Sequence, residues 1–461
     1  MRSSTTLILS CTAVIVVGCA RHQQPPQLPA TNRSAASSIQ ESSIRAHLEF
    51  LASDAMNGRG SGTRDEWIAA VYIAAQLRRL GIESLGDDGG YVQDVAIERS
   101  ELAAPPILSF AGGHFTHNTD MSVLAVGGAK LSGPLQKYRE GTPVTAGSVL
   151  LLPEANPPPT DVTAPARIVL SLESEALRTR RVKGPPRAVT ITRIVGVPER
   201  AAVALGKESY AAIAALDDGT AVALDAEIKS TQTSHTWNAM GRLTGSSPAD
   251  ARDVILLTAH LDHLGNRPSS DPKADTINNG ADDDASGSVA VLALAEALAT
   301  GPRPKRTIVF AWFGSEESGG FGARRFIDGP PVPLTSIVAN LEFEMIGRPD
   351  AAVAPHTLWL TGYERSTLGP ELARQGARLV QDPHPEQNFF QRSDNIQLAR
   401  RGVIAQTVSS YGLHAQYHQP SDDLSHIDFA HMTEAISSML EPVRWLANSA
   451  FRPAWLPGKK P

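Results

Sequence analysis

Four stretches of the chain leave an apolar run and pass straight into acids or histidines. After "VILLTA" comes His260-Leu261-Asp262-His263, and after "TIVFAWFGS" comes Glu316-Glu317. "VANLEFEMIG" carries Glu342 and Glu344, and "GVIAQTVSS" is followed by "YGLHAQYHQPSDD", with His414, Tyr417 and His418. A fifth stretch, "GADDDASG", sets Asp282, Asp283 and Asp284 just ahead of a helical segment. Two adjacent glutamates at the end of a buried strand repel each other unless they are solvated or a cation stands between them. Carboxylates and imidazoles together suit zinc or a similar divalent ion. More carboxylates converge than one ion needs, which points to a pair of ions about 3.5–4 Å apart sharing a bridging carboxylate.

Each signal alone has an ordinary reading. A histidine after a strand is more often a satisfied core or surface residue, and an aspartate triplet is usually a solvated turn. "DDDASG" spaces Asp282, Asp284, Ser286 and Gly287 as a calcium loop would, but Ala293 stands where that loop needs its glutamate. "NGRGSGT", residues 57–63, lacks the Lys-Ser/Thr of a phosphate loop and reads as a turn. There is no "HExxH" and no "GxSxG". Their shared position carries the argument. In an open α/β sheet, ligands bind beyond the carboxyl ends of the strands.

The elements that must position these groups alternate. "RDVILLTAH", "KRTIVFAWF", "TSIVANLEFEM" and "RGVIAQTVSS" are short, continuous apolar runs, and helical stretches such as "SGSVAVLALAEALA" and "GARRFI" lie between them. That pattern predicts an α/β fold, a sheet covered by helices on both faces. Upstream, "ESSIRAHLEFLASD" and "DEWIAAVYIAAQLRRLGIE" have helical apolar spacing. Residues from about 100 to 235 are richer in proline and in short β-like runs, as in "GSVLLL" and "AVTITRIVGV". They read as a small β-rich inserted domain. The boundaries are then a catalytic domain over 41–100 and 236–450, an insert over 101–235 and a C-terminal tail over 451–461.

The chain has 461 residues, 42% apolar and 20% charged, with a net charge of −6. No basic stripe is present, which argues against a nucleic-acid partner. The N-terminus, "MRSSTTLILSCTAVIVVGCA", has an apolar stretch too short to span a bilayer and fits a secretory signal over 1–19. Its "VVGC" ending resembles a bacterial lipobox, which implies lipidation of Cys19, a flexible tether over 20–40 and a membrane contact made only through that anchor. Ala20 after the cysteine suggests the periplasmic face of the outer membrane. A plain signal peptide is the alternative. Cys11 and Cys19 are the only cysteines, so the folded region has no disulfide and no thiolate ligand or nucleophile.

"LASDAMNGRGSGT", "TAHLDHLG", "NGADDDASG", "FAWFGSEESGGFGARRF", "EMIGR" and "YHQPSDDL", in this order, resemble the aminopeptidase Y-type di-zinc exopeptidases. That family includes glutamate carboxypeptidase, glutaminyl cyclase and the catalytically dead transferrin receptor. The resemblance implies a three-layer α/β/α sandwich with a mixed, mostly parallel sheet and a protease-associated insert. It implies two zinc ions and peptide substrates. His260 and Glu344 would be ligands of the first ion, Asp283 the bridge, and Glu317 and His418 ligands of the second. Asp262 would stand behind His260, Glu316 would be the general base, and Tyr417 would hold the reacting oxygen. The family usually has "LDMIGR" where this chain has "FEMIGR", so Glu344 replaces an aspartate, with Glu342 as the alternative ligand. "RSDN" at 392–395 replaces "RSDH". The implied activity is that of an aminopeptidase. A carboxypeptidase or dipeptidase is the alternative, for which Arg392, Arg400 and Arg401 would supply cations. A non-catalytic binding protein and a one-zinc acyltransferase are the remoter alternatives.

Overall fold

The computed structural model describes residues 39–461 apart from 156, 159, 186–188 and 411. The signal segment, Cys19 and nearly all of the expected tether lie outside the described residues. No helix among the described residues is long and apolar enough to cross a membrane.

The chain enters through α1 (Glu41–Leu51) and α2 (Arg64–Arg79). Thr63 caps α2 by accepting the Asp65 N–H, and the helix carries acids in its first turn and Arg78 and Arg79 in its last, as its dipole favours. The main sheet takes β1 (Val92–Leu102), β2 (Thr190–Ile194), β3 (Ile228–Leu243), β4 (Val254–His260), β5 (Thr307–Phe313) and β6 (Ile337–Phe343). It is completed by β7 (Leu358–Leu360), β8 (Leu379–Gln381), β9 (Ala405–Ser409) and the two-residue strand Glu83–Ser84 beside β3. The order is β8-β7-β9-β6-β4-β5-β3-β1-β2. At its centre β9, β6, β4 and β5 run parallel, and β3, β1 and β2 add an antiparallel flank.

Every residue of β4, β5 and β6 is buried, because helices cover both faces. Ile255, Leu257 and Ala259 of β4 face a core shared with α1, α2, α3 (Gly287–Thr300) and the long C-terminal helix α6 (Phe429–Asn448). Their neighbours Val254 and Leu256 face α4 (Phe321–Asp328) and α5 (Asn395–Ala399). The result is the three-layer α/β/α sandwich with a mixed sheet. Helix α3 is apolar nearly all round and has Val289 to Leu292 fully buried, which is why it lies inside its layer.

Residues 107–225 build a second, eight-stranded sheet with its own core around Val149, Ile168, Leu170 and Val203. This insert also lends β2 to the main sheet, where it pairs with β1. Strand β3 runs unbroken from Ile228 to Leu243, across the position where the sequence places the end of the insert.

Candidate metal centre

Four parallel strands end at one edge, and the chemistry collects there. His260 closes β4; Gly314-Ser315-Glu316-Glu317 follows β5; Glu344 follows β6; and the loop after β9 returns His418. The fifth contributor, Asp283, sits in the turn that leads into α3. Its two carboxylate oxygens point different ways. Oδ1 lies 3.2 Å from His260 Nε2, and Oδ2 lies 3.2 Å from His418 Nε2, which is itself 3.4 Å from Glu317 Oε2. A carboxylate shared between two imidazole-bearing groups is the arrangement a bridging ligand requires.

Two sets of donors bring ligand atoms within 4.8 Å of one another: His260, Asp283 and Glu344, and His263, Asp283 and Glu317. His260 Nε2, His263 Nδ1, Glu317 Oε1 and His418 Nε2 are buried and make no well-aligned hydrogen bond; their polar neighbours are the other candidate donors, at 2.9–3.4 Å. Buried polar atoms are almost always well paired, and here imidazole nitrogens and carboxylate oxygens crowd within 4.8 Å of one another without hydrogen-bond geometry. The donor set is nitrogen and oxygen without sulfur, which suits zinc. The residues present therefore fit a pair of divalent cations.

The charges state the same need. Burial pushes Glu316 well above the usual carboxylate range; His260 pulls it back, while Asp394, Glu344 and Glu317 push it further up. Burial also raises Glu344, to about 7, with Asp283 adding to it. Asp283 moves the other way. Against the cost of burial, His260 and His418 hold it well below the ordinary range. His418 stands at about 9, because Asp283 and Glu317 outweigh its burial. In the metal-free protein, these imidazoles are partial substitutes for cations.

Surrounding residues fix the donors. Asp284 accepts the backbone N–H groups of His260, Gly287 and Met345, which ties the ends of β4 and β6 to the start of α3. Asp422 accepts the N–H groups of Asp282 and Asp283 and the Arg348 guanidinium at 3.0 Å. Arg348 also donates to Gln416 on the loop that carries His418. The loop is held in an unfavourable form, with His418 at φ 59°, and Tyr417 stacks on its ring at 3.8 Å. Burial and the nearby carboxylates raise the Tyr417 phenol, so it stays neutral and able to donate.

The structure brings His260, Asp283, Glu317, Glu344 and His418 together, with Glu316 and Tyr417 at the rim. Glu342, the alternative ligand, faces elsewhere: it is fully buried and accepts the Asn395 N–H, the asparagine of "RSDN". Asp262 stands behind His260, and its carboxylate also holds the turn that follows β5. The His260 Nδ1 lies 3.1 Å from the Asp262 backbone carbonyl and 3.7 Å from its carboxylate. That carboxylate accepts the N–H groups of Glu316 and Glu317 and the Ser61 hydroxyl. His263 was not singled out as a ligand, yet its Nδ1 stands 2.9 Å from Glu317 Oε1. Its place in "HLDH", three residues past a strand end, was the available signal.

Beside the donors, against Glu344 and Tyr417, lies a small cavity of about 30 Å³ walled by Met345, Trp359, Phe389 and Leu413. Trp359 and Phe389 stack at 5.4 Å. A second, more polar hollow of about 290 Å³ opens on the His263 and Glu317 side.

Among known proteins, a probable lipoprotein aminopeptidase, LpqL, of Mycobacterium tuberculosis is 27% identical over 124 residues, 27% of this chain and 23% of that protein. An aminopeptidase of Pseudomonas aeruginosa is 32% identical over 116 residues, 25% of this chain and 19% of that one. The chain thus spans under a quarter of the length of these curated relatives. Similar solved structures include an aminopeptidase from Aneurinibacillus sp. strain AM-1, at 17% identity, 90% and 96% coverage and a TM-score of 0.49. Another is BSAP, a zinc aminopeptidase from Bacillus subtilis, at 18% identity, 90% and 97% coverage and the same TM-score of 0.49. The model described as Peptidase family M28 matches residues 238–443. His260, Asp283, Glu316, Glu317, Glu344 and His418 all fall within that span, so the part of the chain that carries the candidate metal centre is the part similar to peptidase family M28.

Proposed function

We propose that the chain is a zinc-dependent aminopeptidase that hydrolyses the first peptide bond of its substrates. The observation that carries this reading is Asp283, whose two oxygens face two separate sets of buried, unneutralised donors. Two zinc ions, one on His260, Asp283 and Glu344 and one on Asp283, Glu317 and His418, would polarise the scissile carbonyl and lower the pKa of water. Glu316 takes a proton from the attacking water and passes it to the leaving amine nitrogen as the C–N bond breaks. The neutral Tyr417 phenol donates a hydrogen bond to the former carbonyl oxygen. The cavity walled by Trp359 and Phe389 takes the side chain of the released residue. The names borne by the Pseudomonas and Mycobacterium relatives support the same activity.

One observation favours a second reading, a dipeptidase. Arg392 lines the cavity, lies over the Phe389 ring at 5.5 Å and is exposed, with no carboxylate partner among the described residues. It is placed to meet the carboxylate of a short substrate. Arg401 is less available, since it pairs with Asp328 at 2.9 Å. The test is to assay the chain from Ala20 onward on free and N-blocked peptides of two to five residues, with and without zinc. Preference for free N-termini at every length supports the aminopeptidase; preference for blocked N-termini defeats it; restriction to dipeptides favours the second reading. The export signal and the "VVGC" sequence support a lipid-anchored protein exposed to the periplasm. Radiolabelled palmitate incorporation that disappears in Cys19→Ser checks this.

A further inference from the structure

Glu316 and Glu317 do not sit on a strand. They sit in a turn, and the turn is held by side chains. Four successive backbone N–H groups leave β5 and each donates to a side chain: Gly314 to Asn238 at 3.1 Å, Ser315 to Glu66 at 2.8 Å, and Glu316 and Glu317 to Asp262 at 2.9 and 3.3 Å. Ser315 adopts φ 56°, a conformation that a non-glycine residue takes only when its surroundings impose it.

Glu66 is the unexpected member. It comes from the first turn of α2, some 250 residues away in the chain, and lies outside the span matched by the family model. It is fully buried. Its Oε1 accepts from Ser315 and from the Thr236 hydroxyl at 2.6 Å, and its Oε2 accepts the Gly62 N–H at 2.8 Å. No cation pairs with it among the described residues. It presses directly under the turn: a Cβ on Gly314 would lie 2.5 Å from Glu66 Oε1 and 2.4 Å from Thr236 Oγ1. A buried acid without a counter-ion is costly, and an apolar side chain would fill the space between α2 and β3 without that cost. What an apolar side chain cannot do is fix the N–H of the residue before Glu316.

We propose that Glu66 is a positioning residue for the reaction, setting the Ser315 turn so that Glu316 meets the attacking water. The inference rests on the reading of Glu316 as the base. It makes α2 part of the active site through the turn that Glu66 holds.

The test uses the zinc-loaded chain and the variants Glu66→Gln, Glu316→Gln and the double substitution, measured for kcat, KM and zinc content. Glu66→Gln keeps the size but turns one acceptor into a donor that must face either the Ser315 or the Gly62 N–H. A base displaced by about an ångström costs on the order of 100-fold in rate. The expected result is a fall of that order in kcat, with KM and zinc content unchanged and no further loss when Glu66→Gln is added to Glu316→Gln. A Glu66→Gln enzyme with parental kcat overturns the proposal while leaving Glu316 as base, and losses that multiply in the double variant also overturn it. Full activity in Glu316→Gln would instead remove the reading on which it rests. If Glu66→Gln does not fold, Thr236→Val decides. It removes one donor from the carboxylate, and a severalfold fall in kcat with melting within a few degrees supports the role, whereas parental kcat refutes it.

Discussion

Arg59 is almost wholly buried, and its guanidinium touches no carboxylate. It donates to four backbone carbonyls instead: Leu261 at 3.0 Å, Asn279 at 2.7 Å, Gly280 at 2.9 Å and Leu51. These belong to the end of α1, the residue after β4 and the turn that leads to Asp282–Asp284. Burial lowers its pKa to about 10, against the pull of Asp284 and Asp262, so it remains charged near neutrality. Replacing it by lysine keeps the charge but exchanges a planar fork for a point donor, which reaches about two of the four carbonyls. Two carbonyls are then stranded in the interior at about 1–3 kcal/mol each, so the loss is about 2–6 kcal/mol. Total stability is on the order of 5–15 kcal/mol. Arg59→Lys should therefore fold but melt several degrees lower. The Asn279–Gly280 carbonyls anchor the turn that presents Asp283, so zinc should also raise the melting temperature of the variant less than that of the parent. Calorimetry with and without zinc reads both effects. A variant that melts within a degree of the parent and responds equally to zinc would refute the reasoning.

Metal content should follow the donor sets. Asp283→Ala should lose both zinc ions, and Glu344→Ala should keep one, as counted by atomic absorption on dialysed protein. In the metal-free chain, Glu344 is raised from 4.5 to about 7, chiefly by burial. A raised acid favours the folded state when protonated, so its contribution to apo stability is present below about 4.5 and lost as pH rises through about 7. First-site zinc affinity should accordingly climb with pH across that window and level above it, which titration at stepped pH would show. Asp422→Asn should weaken second-site zinc more than first-site zinc, because Asp422 and Arg348 brace the loop that carries His418. Equal weakening of both sites in cobalt absorption titrations would count against it.

Most of the candidate donors were legible because they follow an apolar run, and the parallel strands bring those to one edge; Asp283, in the turn before α3, came from the acidic triplet instead. The α/β sandwich was legible for the same reason: β4, β5 and β6 are apolar without alternation, which happens when both faces are covered. The supports were not. Arg59, Ser61 and Glu66 act on backbone groups or acids some 200 to 250 residues away, and no local pattern announces a contact of that range. Asp262 stands behind His260, but nothing in the sequence shows that its carboxylate also accepts the Glu316 and Glu317 amides and the Ser61 hydroxyl, which lie closer to it than the His260 ring does. The first half of β3, "IKSTQTSH", is exposed and polar and so gives no burial pattern to reveal a strand.

That strand ties two distant parts of the molecule to one mechanical member. Its outer half, from Ile228, forms with β1 the ladder on which the insert is mounted, and its inner half carries Thr236 and Asn238, which grip Glu66 and Gly314. The two halves belong to one continuous strand. A cargo or neighbour that levered the insert sideways would be pulling on the rail to which the proton-handling turn is bolted.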